Sequence, residues 1–139
     1  MGVVIKDWLA SSVTDAVVAA FDYGAAAATL AVYVGSLPAD LDVGADVQLL
    51  QVTLADPSAG PADDGVATFD VSTPIEGVVS ADGVPGYLII FDSDGGPVLG
   101  GNVGLASNPE ADAVTDSLTW LTGETVSLDA GTLTTPLSG

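Results

Sequence analysis

From Thr29 onward, apolar residues come in runs of about five to eight, each closed by Gly, Pro, Asp or Ser. The 17 glycines and 8 prolines among 139 residues make that punctuation dense enough to stop a long helix from propagating. Strands need no more than such a length. The pattern predicts a mainly β chain, an antiparallel β-sandwich or jelly-roll-like barrel, with one α-helix before it.

Within the runs the period is two. In Thr29 to Val34, Leu30, Val32 and Val34 share a face; in Val47 to Leu54, Leu50, Val52 and Leu54 share one, with Leu49 opposite. Val66 to Val71 places Ala67, Phe69 and Val71 inward and Thr68 and Asp70 outward. The clearest signal is Tyr87 to Val103, two apolar runs around Asp92-Ser93-Asp94-Gly95-Gly96, which reads as a hairpin because Asp-Gly accepts the positive φ of a tight turn. Its first arm is apolar on both faces and so is predicted to be a central strand covered on both sides. Ser117 to Leu121 and Thr125 to Leu128, separated by Thr122-Gly123-Glu124, read as a closing hairpin, and Thr132 to Thr135 as a last short strand. The loops Ser36 to Asp46 and Asn108 to Asp116 are long enough to reach a neighbour.

Ahead of this domain, Leu9, Val13, Val17 and Phe21 fall at helical spacing, with Trp8, Ala16 and Ala20 beside them. They predict a helix from about Lys6 to Phe21, stopped near Gly24, and Ala25 to Ala28 as a linker. The chain divides into a helix and linker over 1–28 and a β-sandwich over 29–139, packed as one compact domain. The apolar helix face has two uses: a lid on the β domain, or a docking surface for another chain, with Trp8, Val13, Val17 and Phe21 as its interface residues.

Charge removes several functions. Nineteen acidic residues stand against Lys6 alone, a formal net charge of −18, so phosphates of nucleic acid or of an anionic membrane are repelled and are excluded as direct partners. No apolar run approaches the roughly 20 residues of a membrane span, and no basic, apolar leader is legible at the N-terminus. Hydrophobic residues make up 48% of the chain, which separates it from acidic disordered segments.

His and Cys are both missing, so imidazole bases, thiol nucleophiles, disulfides and the usual zinc ligands are missing too. Carboxylates are what remains. Asp40, Asp42 and Asp46 share a loop with Gly44, and Asp92 and Asp94 bracket a turn; either group could offer oxygens to Ca²⁺, although neither fits the spacing of an EF-hand. Turn formation and surface solvation account for the same residues, and loosely held cations suit so acidic a surface better than an ordered site. A carboxylate pair could serve glycoside hydrolysis, but most of the eight aromatic residues lie within apolar strand or helix patterns instead of offering sugar platforms. The expectation is a chain with no catalytic residues and no cofactor.

The order of segments resembles a family of small virion structural proteins from tailed bacteriophages. Thr29-Leu30-Ala31-Val32-Tyr33-Val34-Gly35-Ser36-Leu37-Pro38-Ala39 is similar to that family's opening strand and Pro-Ala turn. Leu49-Leu50-Gln51-Val52-Thr53-Leu54-Ala55-Asp56-Pro57 looks like its second strand with the same Asp-Pro end, and Gly65-Val66-Ala67 like its third. Tyr87-Leu88-Ile89-Ile90-Phe91-Asp92-Ser93-Asp94-Gly95 followed by Val98-Leu99-Gly100-Gly101-Asn102-Val103-Gly104 resembles its central hairpin, and Gly123-Glu124-Thr125-Val126-Ser127-Leu128 its closing strand. The likeness covers about 29 to 135. This chain is more acidic than the family generally is, and Pro74 to Gly86 follows its pattern only loosely.

The resemblance implies a non-enzymatic virion component, above all a capsid decoration or cement protein that binds the major capsid protein on the outer surface of the shell, assembles as a homo-oligomer, a trimer for preference, and passes through the host cytoplasm before assembly. A tail, neck or fibre protein is the alternative within the same class. A secreted calcium-dependent adhesion module is the alternative outside it.

Overall fold

The computed structural model describes residues 15–20, 22–61, 66–72, 75–105, 107, 111, 113–115, 117, 119–128 and 132–134. Among the described residues nine strands follow one another: β1 (Thr29–Tyr33), β2 (Gln48–Thr53), β3 (Val66–Thr68), β4 (Ile75–Val78), β5 (Tyr87–Phe91), β6 (Pro97–Gly104), β7 (Ala113–Val114), β8 (Thr125–Leu128) and β9 (Thr132–Thr134). The fold is mainly β, as the short alternating runs predict.

Five strands form the principal sheet in the order β2-β1-β5-β6-β7. All its neighbours are antiparallel except the short β6–β7 pair, which makes the sheet mixed. In the centre, Leu30 opposes Ile90, Ala31 opposes Ile89, Val32 opposes Leu88 and Tyr33 opposes Tyr87. Because strand side chains alternate, this register sorts them onto two faces, and both are covered.

One face carries Val32, Leu50, Val52, Leu54 and Ile90 in the main core, with Leu30 and Leu88 packed against it; Ile75, Val79 and Trp120 close that core from above. They belong to a second layer, the β4–β8 ribbon and the segment that leads into it. Gly77 lets the ribbon settle there: a Cβ at this position would lie 2.9 Å from the carbonyl oxygen of Gln51 and from side-chain carbons of Leu50 and Val52. Burying each such aliphatic side chain contributes about 1.5–3 kcal/mol.

The opposite face holds Ala31, Tyr33, Tyr87 and Ile89, with Leu37, Leu41, Val43 and Phe91 packed on them. The long loop after β1 therefore folds back over its own sheet. Gly100 makes room for it, since a Cβ there would stand 2.6 Å from Leu37 and 2.8 Å from Leu41 side-chain carbons. β5 is accordingly covered on both sides, as its unbroken apolar sequence predicts.

The helix is described over 15–20. Val18 is buried against Ala59 and Ala67, with Phe69 beside them, so this part of the helix packs on the β3–β9 side of the domain. A final strand, expected over Thr132 to Thr135, is described over Thr132–Thr134 and pairs with β3.

Three readings require correction. Leu49 does not face away from Leu50. The β1–β2 register shifts between Val32 and Tyr33, so that Val32 opposes Leu50 and Tyr33 opposes Gln48, and the extra residue of this bulge turns Leu49 into the main core at 0% exposure. Second, Ser117–Leu121 and Thr125–Leu128 do not form a hairpin with each other. Trp120 forms a bridge with Gly83, while β8 pairs with β4 along four residues. The turn signal at Gly123 is genuine, with φ +93°, but burial of Trp120 and Val126 against the core sets the partners. Third, two strands lie where no strand is read: β4 within the loosely patterned stretch 74–86, and β7 within the loop 108–116. Four residues and two residues are too short for a period to register.

Candidate functional site

Carboxylates are the chain's main chemical resource, and Lys6 lies outside the described residues. Asp40 Oδ1 accepts from the backbone N–H of Asp42, and Asp42 Oδ1 accepts from that of Gly44, each at 3.0 Å. Asp46 turns the other way, and its Oδ2 accepts a 2.7 Å hydrogen bond from the Tyr87 hydroxyl. At the β5–β6 turn, Asp92 Oδ1 accepts from Asp94 N at 3.0 Å and from Gly96 N at 2.9 Å. Of the candidate calcium residues, Asp40, Asp42 and Asp92 thus fasten local turns and Asp46 holds a tyrosine, and among the described residues no three His, Cys, Asp or Glu side chains gather as a metal site requires.

Two other carboxylates are held more tightly. Asp82 Oδ1 accepts both the backbone N–H of Thr122 at 2.7 Å and its hydroxyl at 2.9 Å, which keeps the Asp82 carboxyl below its ordinary pKa. Asp70 Oδ1 accepts from the Ser72 hydroxyl and backbone, with the same effect. Both acids are exposed and act as loop fasteners.

Ser58 is the buried polar residue of the described core, at 1% exposure, and its Oγ has no hydrogen-bond partner among the described residues. A serine nucleophile requires a base at that oxygen. The carboxylate beside it, Asp22, instead accepts from the Ser58 backbone N–H at 3.0 Å.

A cavity of about 520 Å³ lies between the principal sheet and the second layer. Leu30, Val32, Leu88 and Val103 form its floor, Trp120 and Val126 its opposite wall, and Thr115, Ser117 and Glu124 supply polar groups. Trp120 Nε1 donates to Thr115 Oγ1 at 3.1 Å, and Glu124 Oε1 accepts from Leu121 N at 2.5 Å. Thr115 thus anchors the Trp120 ring, and Glu124 fastens the turn that follows it.

No protein-family model, curated protein or solved structure matches this chain.

Of the residues expected at a helix interface, Trp8, Val13 and Phe21 lie outside the described residues. Val17 is half-buried and packs against the main core. Its position agrees with the lid reading of the helix at this residue. What the sequence pattern misses is a set of exposed apolar residues at loop and strand ends: Val47, Val84, Val114 and Leu121. They lie far apart in the chain, so no periodicity joins them.

Proposed function

We propose that this protein is a structural component of a tailed-bacteriophage virion, a decoration protein that coats the outside of the capsid, bridges major capsid subunits and reinforces the shell. It works as a homo-oligomer, with a trimer suited to three-fold positions of a symmetric shell. It carries no reaction and needs no cofactor.

The observation that carries this reading is the order and spacing of the family-like segments. They fall in sequence on β1, β2, β3, the β5–β6 hairpin and β8. Charge favours the same side of the shell: a protein at −18 is repelled by packaged nucleic acid and is compatible with an outward, solvated position. A body made mainly of buried strand faces, with carboxylates that fasten turns, suits a durable surface component.

Labelled electron micrographs and copy number per particle test it. A decoration protein is spread over the shell in hundreds of copies. Label confined to the tail or neck, in far fewer copies, would replace this reading with the tail alternative, and particles without the protein would remove both.

A further inference from the structure

Four of the six strongly exposed large apolar side chains among the described residues gather at one end of the molecule. Tyr33 pairs with Gln48 on one side and with Tyr87 on the other, and Gly104 pairs with Val114. Val47 and Val114 therefore stand at the same end of the principal sheet, at its two outer strands, and Val84 lies just before Gly86, whose N–H donates to Tyr33 O at that end. Gly83 exchanges two backbone hydrogen bonds with Trp120, at 3.0 and 2.8 Å, and so brings Leu121 to that end as well. Val34 links this group, since its backbone N–H donates to Val47 O and its side chain lies against Gly83. The four are 51%, 50%, 62% and 53% exposed in the order Val47, Val84, Val114, Leu121. Tyr23, 64% exposed, sits at the far end, where Ser93 of the β5–β6 turn donates to its carbonyl.

Single exposed apolar residues need no explanation, but a group of four at one end is the pattern of a contact surface. The interlayer cavity reaches the same end, because Val114, Trp120 and Glu124 all line it. That provides a recess for an anchoring side chain beside Val114. Charge then selects the partner. Asp46, Asp82 and Glu124 stand at this end, their oxygens accepting from Tyr87, Thr122 and Leu121. A second copy would bring carboxylates against carboxylates and has only Lys6 to offset them, whereas lysine or arginine at the edge of a partner's apolar patch would meet them favourably.

We infer that the end bearing Val47, Val84, Val114 and Leu121 is a docking surface for a protein segment with an apolar centre flanked by basic side chains. This assignment rests on register, exposure and charge, and stands independently of the capsid reading.

The test uses the full chain and three synthetic amphipathic peptides: one of Leu and Lys, one with Glu replacing Lys, and one with Ser replacing Leu. Amide chemical shifts are followed by NMR at low and high salt. The Leu/Lys peptide is expected to bind saturably, to shift the amides around 47, 84, 114 and 121, and to weaken as salt rises. Val84→Asp and Leu121→Asp should each weaken it about tenfold, and Tyr23→Asp should leave it unchanged. These sites are exposed, so the variants retain the wild-type circular dichroism; Val47→Asp replaces either one that does not. The inference is overturned by equal binding of the Lys/Ser or Glu/Leu peptide, by shifts spread across the acidic surface, or by loss on Tyr23→Asp alone. A wild-type dimer in sedimentation that Val84→Asp dissolves would assign the end to a second copy instead.

Discussion

The hydroxyl of Tyr87 donates a 2.7 Å hydrogen bond to Asp46, 41 residues earlier in the chain. Tyr87 is fully buried, and its ring stacks on Tyr33 with centroids 5.2 Å apart and planes 18° from parallel. Through this contact the β5 strand holds the end of the loop that covers its own outer face. Replacement of Tyr87 by Phe keeps the stack and removes the hydrogen bond, and should cost about 1 kcal/mol in urea unfolding; Tyr87→Ala, which also opens a cavity, should cost about 3–5 kcal/mol.

The same tyrosine sets an alkaline limit. Burial, then the Asp46 hydrogen bond and charge, push the Tyr87 phenol well above its ordinary 10.0. Burial raises Tyr33 as well. A raised folded-state pKa means that the unfolded chain loses its protons first, so this contribution is complete below about pH 10 and is lost as pH rises beyond it. Stability measured from pH 8 to 11.5, by roughly half-unit steps, should fall at the alkaline end, and Tyr87→Phe should fall less steeply.

Asp82 gives the opposite sign. Its carboxyl is lowered by the two Thr122 hydrogen bonds, so its contribution is present above the ordinary carboxylate range and is lost as pH falls through the lowered value. The NMR titration of the Asp82 carboxyl should have its midpoint below 3.8. Thr122→Ala, which keeps the backbone donor and removes the hydroxyl, should move that midpoint only part of the way back.

Glycine substitutions should separate close backbone approach from backbone conformation. A Cβ on Gly86 would lie 1.9 Å from the carbonyl oxygen of Gly35, whereas one on Gly95 meets nothing within 4 Å and is opposed only by its φ of +86°. Gly95→Ala should cost about 1 kcal/mol. Gly86→Ala should cost about 3 kcal/mol or more, because two backbone segments must move apart. Thermal unfolding of the two variants side by side distinguishes the cases.

The acid excess predicts a salt response of the whole fold. Between low salt and roughly 1 M NaCl, repulsion among surface carboxylates is screened and the melting temperature should rise clearly. A flat melting temperature over that range would show that the acids cost the native state little at low salt.

Much of this was legible before any tertiary information. The period-two runs at Thr29–Val34 and Val66–Val71 identify strands and their faces, because a pleated strand exposes alternate side chains to opposite environments, and the two apolar runs around Asp92–Gly96 identify the β5–β6 hairpin. Asp92 and Gly95 mark their turn for an equally local reason: a side-chain acceptor within reach of nearby N–H groups and a residue free to take φ +86°. Charge and the missing His and Cys likewise limit the available chemistry without reference to shape.

Partner choice among strands was not legible, since it depends on which distant faces bury the most surface together. Trp120 joins Gly83, and β8 joins β4, because both complete a core shared with Leu50 and Val52. The Leu49 bulge, the loop folded over Tyr33 and Tyr87, and the end that unites Val47, Val84, Val114 and Leu121 are of the same kind. Local sequence determined the longer strands and what chemistry they could carry; long-range packing decided the short strands β4 and β7 and which residues, separated by tens of positions, came to share a surface.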